Sequence, residues 1–437
     1  MVREYLLVLV VTAAVTYLLT GPVRKFAILA GAMPPVRARD VHREPTPRLG
    51  GIAMFGGLCA GLLVASQLTN LGRLFIQSAD VKALLSGAGI MFVLGVLDDK
   101  WGVDALVKLG GQMIAAGLMV WQGVTVISIP VPGYGSVAVT PTQGMIISVA
   151  LVVVMVNAVN FIDGLDGLAA GMVCIAAVAF FLYSYRLWYG YGINDAAPAV
   201  LFSAVLIGMC LGFLPHNLHP ARIFMGDSGS MMLGLMLAVA AISITGRVDP
   251  DLITAETGSK TATVHALVPI YIPLLLPLTV IALPLADLLL AVVRRTWAGK
   301  SPFAADKQHL HHRLLEVGHS HSRAVLIMYF WAALIAFGTV AVSITNTART
   351  VVLTFSGLCL VGIVVLLMPR FRPHAPRAVQ AFVPPRYRKT VSPAAVRTPA
   401  ESPVAADLAE LSAEDRELLG RLGTGASAVG GRRDGKS

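Results

Sequence analysis

Residues 144–167 read GMIISVALVVVMVNAVNFIDGLDG, and this stretch decides the fold. From Gly144 to Ile162 no residue is charged. A helix of that length, rising about 1.5 Å per residue, is long enough to span most of a bilayer's hydrocarbon core. A barrel strand would be short and alternating, which this run is not. The polar groups then arrive together near its end, as Asn157, Asn160, Asp163 and Asp166 with Gly164 and Gly167.

Similar apolar runs recur outward in both directions, at 4–22, 50–68, 82–97, 104–121, 167–186, 197–215, 229–245, 264–293, 325–343 and 350–368. With the first they predict an all-α polytopic membrane protein of about eleven transmembrane helices. The whole composition agrees: 13% of the 437 residues are charged, where a soluble domain carries about 25%. The run at 264–293 is interrupted by Pro269, Pro273, Pro277 and Pro284 and is expected to bend or break. Residues 124–140, VTVISIPVPGYGSVAVT, predict a short outer β-hairpin. Cys59, Cys174, Cys210 and Cys359 all lie in apolar runs and read as small buried side chains, with no disulfide or zinc spacing.

Charge sets the orientation. Arg24, Lys25, Arg37, Arg39, Arg43 and Arg48 follow the first run, and Arg294, Arg295, Lys300, Lys307, Arg313 and Arg323 follow the ninth. Counting spans puts both loops on one side, the cytoplasm of a cell membrane by the positive-inside rule, with the N-terminus outside and the C-terminus cytoplasmic. Because its positive charge follows it, the run from Tyr5 to Leu19 reads as an uncleaved span and not a secretory signal. The net charge of +10 belongs to these loops and the tail, so topology explains it and no nucleic acid partner is expected. The chain divides into a transmembrane domain, 1–368, and a Pro/Arg/Ala-rich cytoplasmic tail, 369–437, expected to be mostly disordered.

The same count gathers the polar clusters at cytoplasmic ends. Asp98 and Asp99 close the third run, and adjacent helical residues point about 100° apart, so the pair can hold two different groups or be an ordinary polar helix end. Asn157, Asn160 and Asp163, spaced by three, share one broad helix face before a glycine-rich turn. In the segment 217–230, NLHPARIFMGDSGS, Phe224 can stack on a flat base and Asn217 can bond to its edge. Asp227, flanked by Gly226 and Gly229, is a hard oxygen ligand suited to Mg²⁺, or else a plain cap of the eighth span. His309, His311 and His312 with Lys307 and Arg313 fit phosphate better than zinc, for want of a cysteine partner or a zincin spacing.

Taken in order, DD at 98–99, NxxNxxDGxDG at 157–167, NxxPARIFMGDSGS at 217–230 and HLHHR at 309–313 resemble the polyprenyl-phosphate N-acetylhexosamine-1-phosphate transferases. The first loop fits as well, with His42, Pro45-Thr46-Pro47 and Gly50-Gly51. The HLHHR form resembles the WecA-like branch that uses UDP-N-acetylglucosamine; another UDP-N-acetylhexosamine is the alternative donor. The resemblance covers residues 1 to about 368. It implies attack by a polyprenyl phosphate on the donor diphosphate, release of UMP, and the start of a cell-envelope glycan. It further implies Asp227 as the Mg²⁺ ligand (Mn²⁺ able to substitute) and Asp98, Asp99 and Asp163 as the acidic centre, with Lys108 neutralising phosphate charge. Asn157 and Asn160 would bind substrate, Gly164, Asp166, Asn217 and Phe224 would hold the uridine end, and His309, His311, His312 and Arg313 the diphosphate or sugar. Membrane lipids are expected partners, and a homodimer is compatible with this reading. Direct attack is favoured over an aspartyl intermediate, because a lipid phosphate with a second pKa near about 6 is already largely dianionic. The rival class, a transporter, would place its polar groups near the midplane between repeats, whereas these collect at one face.

Overall fold

The computed structural model describes residues 2–33, 45–131, 135–245, 296, 320–344 and 348–367. In chain order the elements are α1 (Val2–Leu29), α2 (Gly50–Gln67), a short α3 (Gly72–Gln77), α4 (Asp80–Trp101), α5 (Ala105–Trp121), β1 (Ser128–Val131) and β2 (Gly135–Ala138). They continue with α6 (Pro141–Ile162), α7 (Leu168–Tyr185), α8 (Ala197–Asn217), α9 (Gly226–Ile244), α10 (His321–Ile344) and α11 (Ala348–Leu367). Eight of the described helices are long and apolar enough to cross a membrane, and the α5 stretch Ala105–Trp121 is a shorter apolar helix. The chain is a multi-pass, mostly helical membrane protein.

Uncharged runs become helices here because only a helix satisfies every backbone group within its own segment when water is absent. Their starts are set locally. Thr140 and Gln143 form a reciprocal capping box at the head of α6, with Pro141 in the first turn. Asp104 caps α5 by accepting from the Leu106 amide at 2.8 Å. The expected hairpin is present and antiparallel, pairing Ser128 with Ala138 through Val131 with Gly135. It is tied to α6 where the Val126 amide donates to Ser148 Oγ at 2.9 Å.

α8 and α9 form the centre of the bundle, buried along nearly their whole lengths and apolar on all sides. α1 lies against α2 and α8 through small residues: a Cβ at Gly57 or Gly208 would overlap Thr16 or Thr12 of α1. The Thr12 hydroxyl is meanwhile satisfied by the Val8 carbonyl at 2.8 Å. Leu18, Ile146, Val154, Leu182 and Leu211 stay exposed on outer flanks, as lipid-facing side chains would.

Several boundaries differ from expectation. α1 runs past Pro22 to Leu29, so Arg24 lies inside a helix, buried, with its Nε donating to the Arg222 carbonyl at 2.9 Å. α4 continues through Asp98 and Asp99 to Trp101, and α9 begins at Gly226, so Asp227 stands in a helical first turn and not in a preceding loop. α3 was not foreseen; it is too short for apolar periodicity to register. The ninth expected span at 264–293, the segment His309–Arg313 and the tail 369–437 lie outside the described residues.

Candidate active site

The C-terminal ends of α4, α6 and α8 meet the N-terminal ends of α5, α7 and α9 at one end of the bundle. α4 stops at Gly102, whose φ of +72° suits glycine, and the chain enters α5 three residues later, at Ala105. That short turn lays Lys108, one turn into α5, back against the end of α4. Lys108 Nζ donates to Asp98 Oδ2 and to Asp227 Oδ2, each at 2.7 Å. The other oxygen of Asp98 accepts from the Val103 amide at 2.7 Å. The other oxygen of Asp227 accepts from Asn160 Nδ2 at 3.0 Å, and the same amide reaches Ser230 Oγ at 2.9 Å.

Asp99 faces the other way from Asp98. Its Oδ1 accepts from the Asp227 amide at 2.8 Å, and its Oδ2 from the Ser228 amide at 3.1 Å and the Ser228 hydroxyl at 2.7 Å. Asp163 ends α6, its amide donating to the Asn160 carbonyl at 3.2 Å. Loss of solvation, followed by the negative charges of Asp227 and Asp99, pushes its carboxyl from an ordinary 3.8 up to about 8, against the pull of Arg48. Asn157 stands a turn deeper, its Nδ2 donating to Gln112 Oε1 at 2.6 Å, and does not reach Asp227 in this arrangement.

A second layer holds the neighbouring loop. Asn217 is 2% exposed; its Oδ1 accepts from the Gly167 amide and its Nδ2 donates to the Ile223 carbonyl, both at 3.0 Å. Asp166, also 2% exposed, accepts through Oδ2 from His219 Nδ1 at 2.7 Å and from the Ala221 amide at 3.0 Å. Phe224 is bridged to the first loop: its amide donates to the Pro47 carbonyl at 2.9 Å and its carbonyl accepts from Gly50 at 3.0 Å. Gly164 is exposed in the turn beyond Asp163. Tyr329 of α10 donates its hydroxyl to the Gly167 carbonyl.

One oxygen of Asp166 and one nitrogen each of His219 and His321 lie within 4.8 Å of one another, as in a metal site. The two rings, however, are stacked 4.3 Å apart and only 17° from parallel, so no single ion can lie in the plane of both. His321 Nε2 already accepts from the Asp166 amide at 3.2 Å. This group is a scaffold for the loop.

The structure thus brings Asp98, Asp99, Lys108, Asn160, Asp163 and Asp227 together, and sets Asp166, Asn217 and Phe224 on the adjoining loop. His309, His311, His312 and Arg313 fall outside the described residues. Ser228, Ser230 and Gln112 take part without having been foreseen. Gln112 carried one signal, lying four residues after Lys108 on the same face of α5. Asp98 and Asp227 share the Lys108 ammonium and offer hard oxygen donors there, the carboxyl of Asp163 feels the charge of Asp227, and Asp99 is turned toward the head of α9. Such a set suits a small divalent cation, with Asp227 and Asp98 nearest the shared position.

An apolar helical bundle carrying a carboxylate centre at one end defines a polytopic membrane protein with a polar chemical site. The model of the glycosyl transferase family 4 matches residues 81–245, which contain all of that centre. Over 369 residues the chain is 45% identical to a decaprenyl-phosphate N-acetylglucosaminephosphotransferase of Mycobacterium tuberculosis, covering 84% of this chain and 89% of the relative. Its counterpart in Mycolicibacterium smegmatis is 44% identical over 374 residues, covering 85% and 89%. An undecaprenyl-phosphate alpha-N-acetylglucosaminyl 1-phosphate transferase of Yersinia pestis is 28% identical over 321 residues, covering 72% and 77%. The chain belongs to the family of polyprenyl-phosphate N-acetylhexosamine-1-phosphate transferases.

Proposed function

We propose that this protein transfers N-acetylglucosamine 1-phosphate from UDP-N-acetylglucosamine to a membrane polyprenyl phosphate, releasing UMP and starting a cell-envelope glycan. The observation that carries the reading is the Lys108 ammonium shared by Asp98 and Asp227, with Asn160 on the second oxygen of Asp227. It stands in a chain whose relatives bear this reaction in their names. The basic loops support a cytoplasmic position for the acidic end, on the plasma membrane, where a water-soluble UDP-sugar arrives.

An oxygen of the acceptor phosphate attacks the sugar-linked phosphorus of the donor, the bond from that phosphorus to the bridging oxygen breaks, and UMP leaves with its electron pair. Both reactants are anions, so positioning and charge neutralisation supply most of the acceleration. The acceptor is largely dianionic at neutral pH and needs no strong base. Lys108 donates to phosphate oxygens. Asp98 orients the acceptor from the Lys108 side, and Asn160 keeps Asp227 in one rotamer. Magnesium, or manganese in its place, would be held by Asp227 with Asp98 beside it, and when bound it supplies positive charge to the diphosphate oxygens. Phe224 offers a ring face to the uracil on a loop held by Asn217 and Asp166. His309, His311, His312 and Arg313 are assigned to the diphosphate or sugar by resemblance.

UMP release by purified protein, with polyprenyl phosphate, Mg²⁺ and a panel of UDP-sugars, tests this directly. UDP-N-acetylglucosamine should turn over fastest. A clear preference for another UDP-N-acetylhexosamine would move the donor assignment, and no release from any would sink the reading.

A further inference from the structure

The two neighbouring aspartates of α4 face different elements. Asp98 points to the Lys108 ammonium, whereas both oxygens of Asp99 are spent on the first turn of α9. A helix leaves its first amides without intrahelical partners, and these are normally satisfied by a side chain just before the helix. In α9 the residue at that place is Met225, which makes no side-chain cap bond. The cap comes instead from another helix: Asp99 takes the Asp227 amide, the Ser228 amide and the Ser228 hydroxyl.

The surrounding backbone is shaped for this contact. Gly226 holds a φ of +70°, and a Cβ there would overlap the Asp99 carboxylate. A Cβ at Gly95, one turn before Asp99, would overlap the backbone of Ser228. Two missing side chains therefore let α4 and the head of α9 close to backbone distance, and the carboxylate of Asp99 fills the seam between them.

We infer that Asp99 is a positioning residue: it caps α9 from α4 and so fixes the backbone of Asp227, while Asp98 alone of the pair meets the reacting groups. The inference rests on the reading of Asp227 as the cation-holding carboxylate for its effect on turnover, but its structural part stands apart from that reading. Three bonds, one from the Asp227 amide and two from Ser228, tie the head of α9 to a residue of α4 128 positions before Asp227 in the chain. An Asp99→Asn side chain keeps one acceptor for the Asp227 amide and turns an NH₂ toward the Ser228 amide, a donor facing a donor.

The test uses full-length protein in detergent, without metal or substrate, and follows hydrogen–deuterium exchange of the peptide covering 225–231. Asp99→Asn should speed exchange at the Asp227 and Ser228 amides by about tenfold, the worth of one hydrogen bond. Asp98→Asn should leave it unchanged. In turnover assays Asp99→Asn should raise the Mg²⁺ concentration for half-maximal UMP release, and a double-mutant cycle with Ser228→Ala should be non-additive. Should Asp99→Asn fail to fold, Ser228→Ala alone removes one of the three bonds and should show the same exchange and Mg²⁺ shifts in milder form. Lost turnover with unchanged exchange and unchanged Mg²⁺ half-saturation, in Asp99→Asn or in Ser228→Ala if that is the variant measured, would overturn the inference and return Asp99 to the substrate. Wild-type protein releasing no UMP from any UDP-sugar would instead sink the proposed function and leave the exchange result standing.

Discussion

Lys108 Nζ of α5 and Asp227 Oδ2 of α9 lie 2.7 Å apart, and the same ammonium is 2.7 Å from Asp98. One cation therefore holds together two carboxylates that would otherwise repel. Lys108→Ala removes it, and the remaining pair is left partly buried and unpaired, the costly way to break an ion pair. The variant should unfold at lower temperature without metal and recover more stability on adding Mg²⁺ than wild type does. UMP release should fall by orders of magnitude. Thermal unfolding with and without Mg²⁺, alongside turnover, checks both; equal Mg²⁺ stabilisation of the two proteins would contradict the shared-cation account.

Asp227→Asn keeps the side chain's size and its acceptor toward Asn160 but loses the charge facing Lys108. Turnover should drop by orders of magnitude and Mg²⁺-dependent binding of the UDP-sugar should weaken. A folded variant with near-normal rate and an unchanged Mg²⁺ requirement would move the metal to Asp98 or Asp163.

Asp163 gives a pH signature. Its carboxyl is raised from 3.8 to about 8 in the folded chain, so between those values the folded state binds the extra proton. Its contribution to stability is therefore intact below about 4 and is lost as pH climbs toward 8. Metal-free protein should lose thermal stability over that range, and Asp163→Asn should flatten this part of the profile. A cation in the centre favours the ionised form, so apparent Mg²⁺ affinity should rise with pH and level off above about 8. Unfolding temperatures at several pH values, with matched Mg²⁺ titrations, decide it; a wild-type profile identical to that of Asp163→Asn would rule the group out.

The spans among the described residues were legible because hydrocarbon tolerates no long charged segment, and uncharged runs such as 144–162 stand out from the motifs between them. Helix ends were less legible. The start of α9 carries no capping side chain of its own because Asp99 of α4 supplies the cap, and local reading cannot see a cap from another helix. The three-residue spacing of Asn157, Asn160 and Asp163 did mark a polar face. It did not say that Asn157 would go to Gln112 and Asn160 to Asp227. Asn217 and Asp166 read as ligands because polar residues near a site invite that role. What the sequence did not show is that both are 2% exposed and bonded to main-chain groups of the loop that carries Phe224.

Gly226 and Gly102 both hold a positive φ, at the start of α9 and at the end of α4. Their φ angles are +70° and +72°, a region that L side chains rarely adopt, so alanine strains the backbone at either, and at Gly102 a ψ of 111° lies outside even the left-handed helical well. Their surroundings differ. A Cβ at Gly102 meets nothing within 4 Å, whereas at Gly226 it would overlap the Asp99 carboxylate. Gly102→Ala should therefore act through backbone strain in the α4–α5 turn, leaving the Asp99 contact with α9 untouched and the Mg²⁺ requirement close to wild type. Gly226→Ala must also push Asp99 away from the head of α9, which loosens the backbone of Asp227. It should lose turnover far beyond its loss of unfolding temperature and need more Mg²⁺ for half-maximal rate. Combining it with Asp99→Gly, which clears the space, should recover part of the lost stability. Equal effects of the two alanine substitutions on rate and Mg²⁺ requirement would mean that the contact between Asp99 and the start of α9 has no part in holding the site.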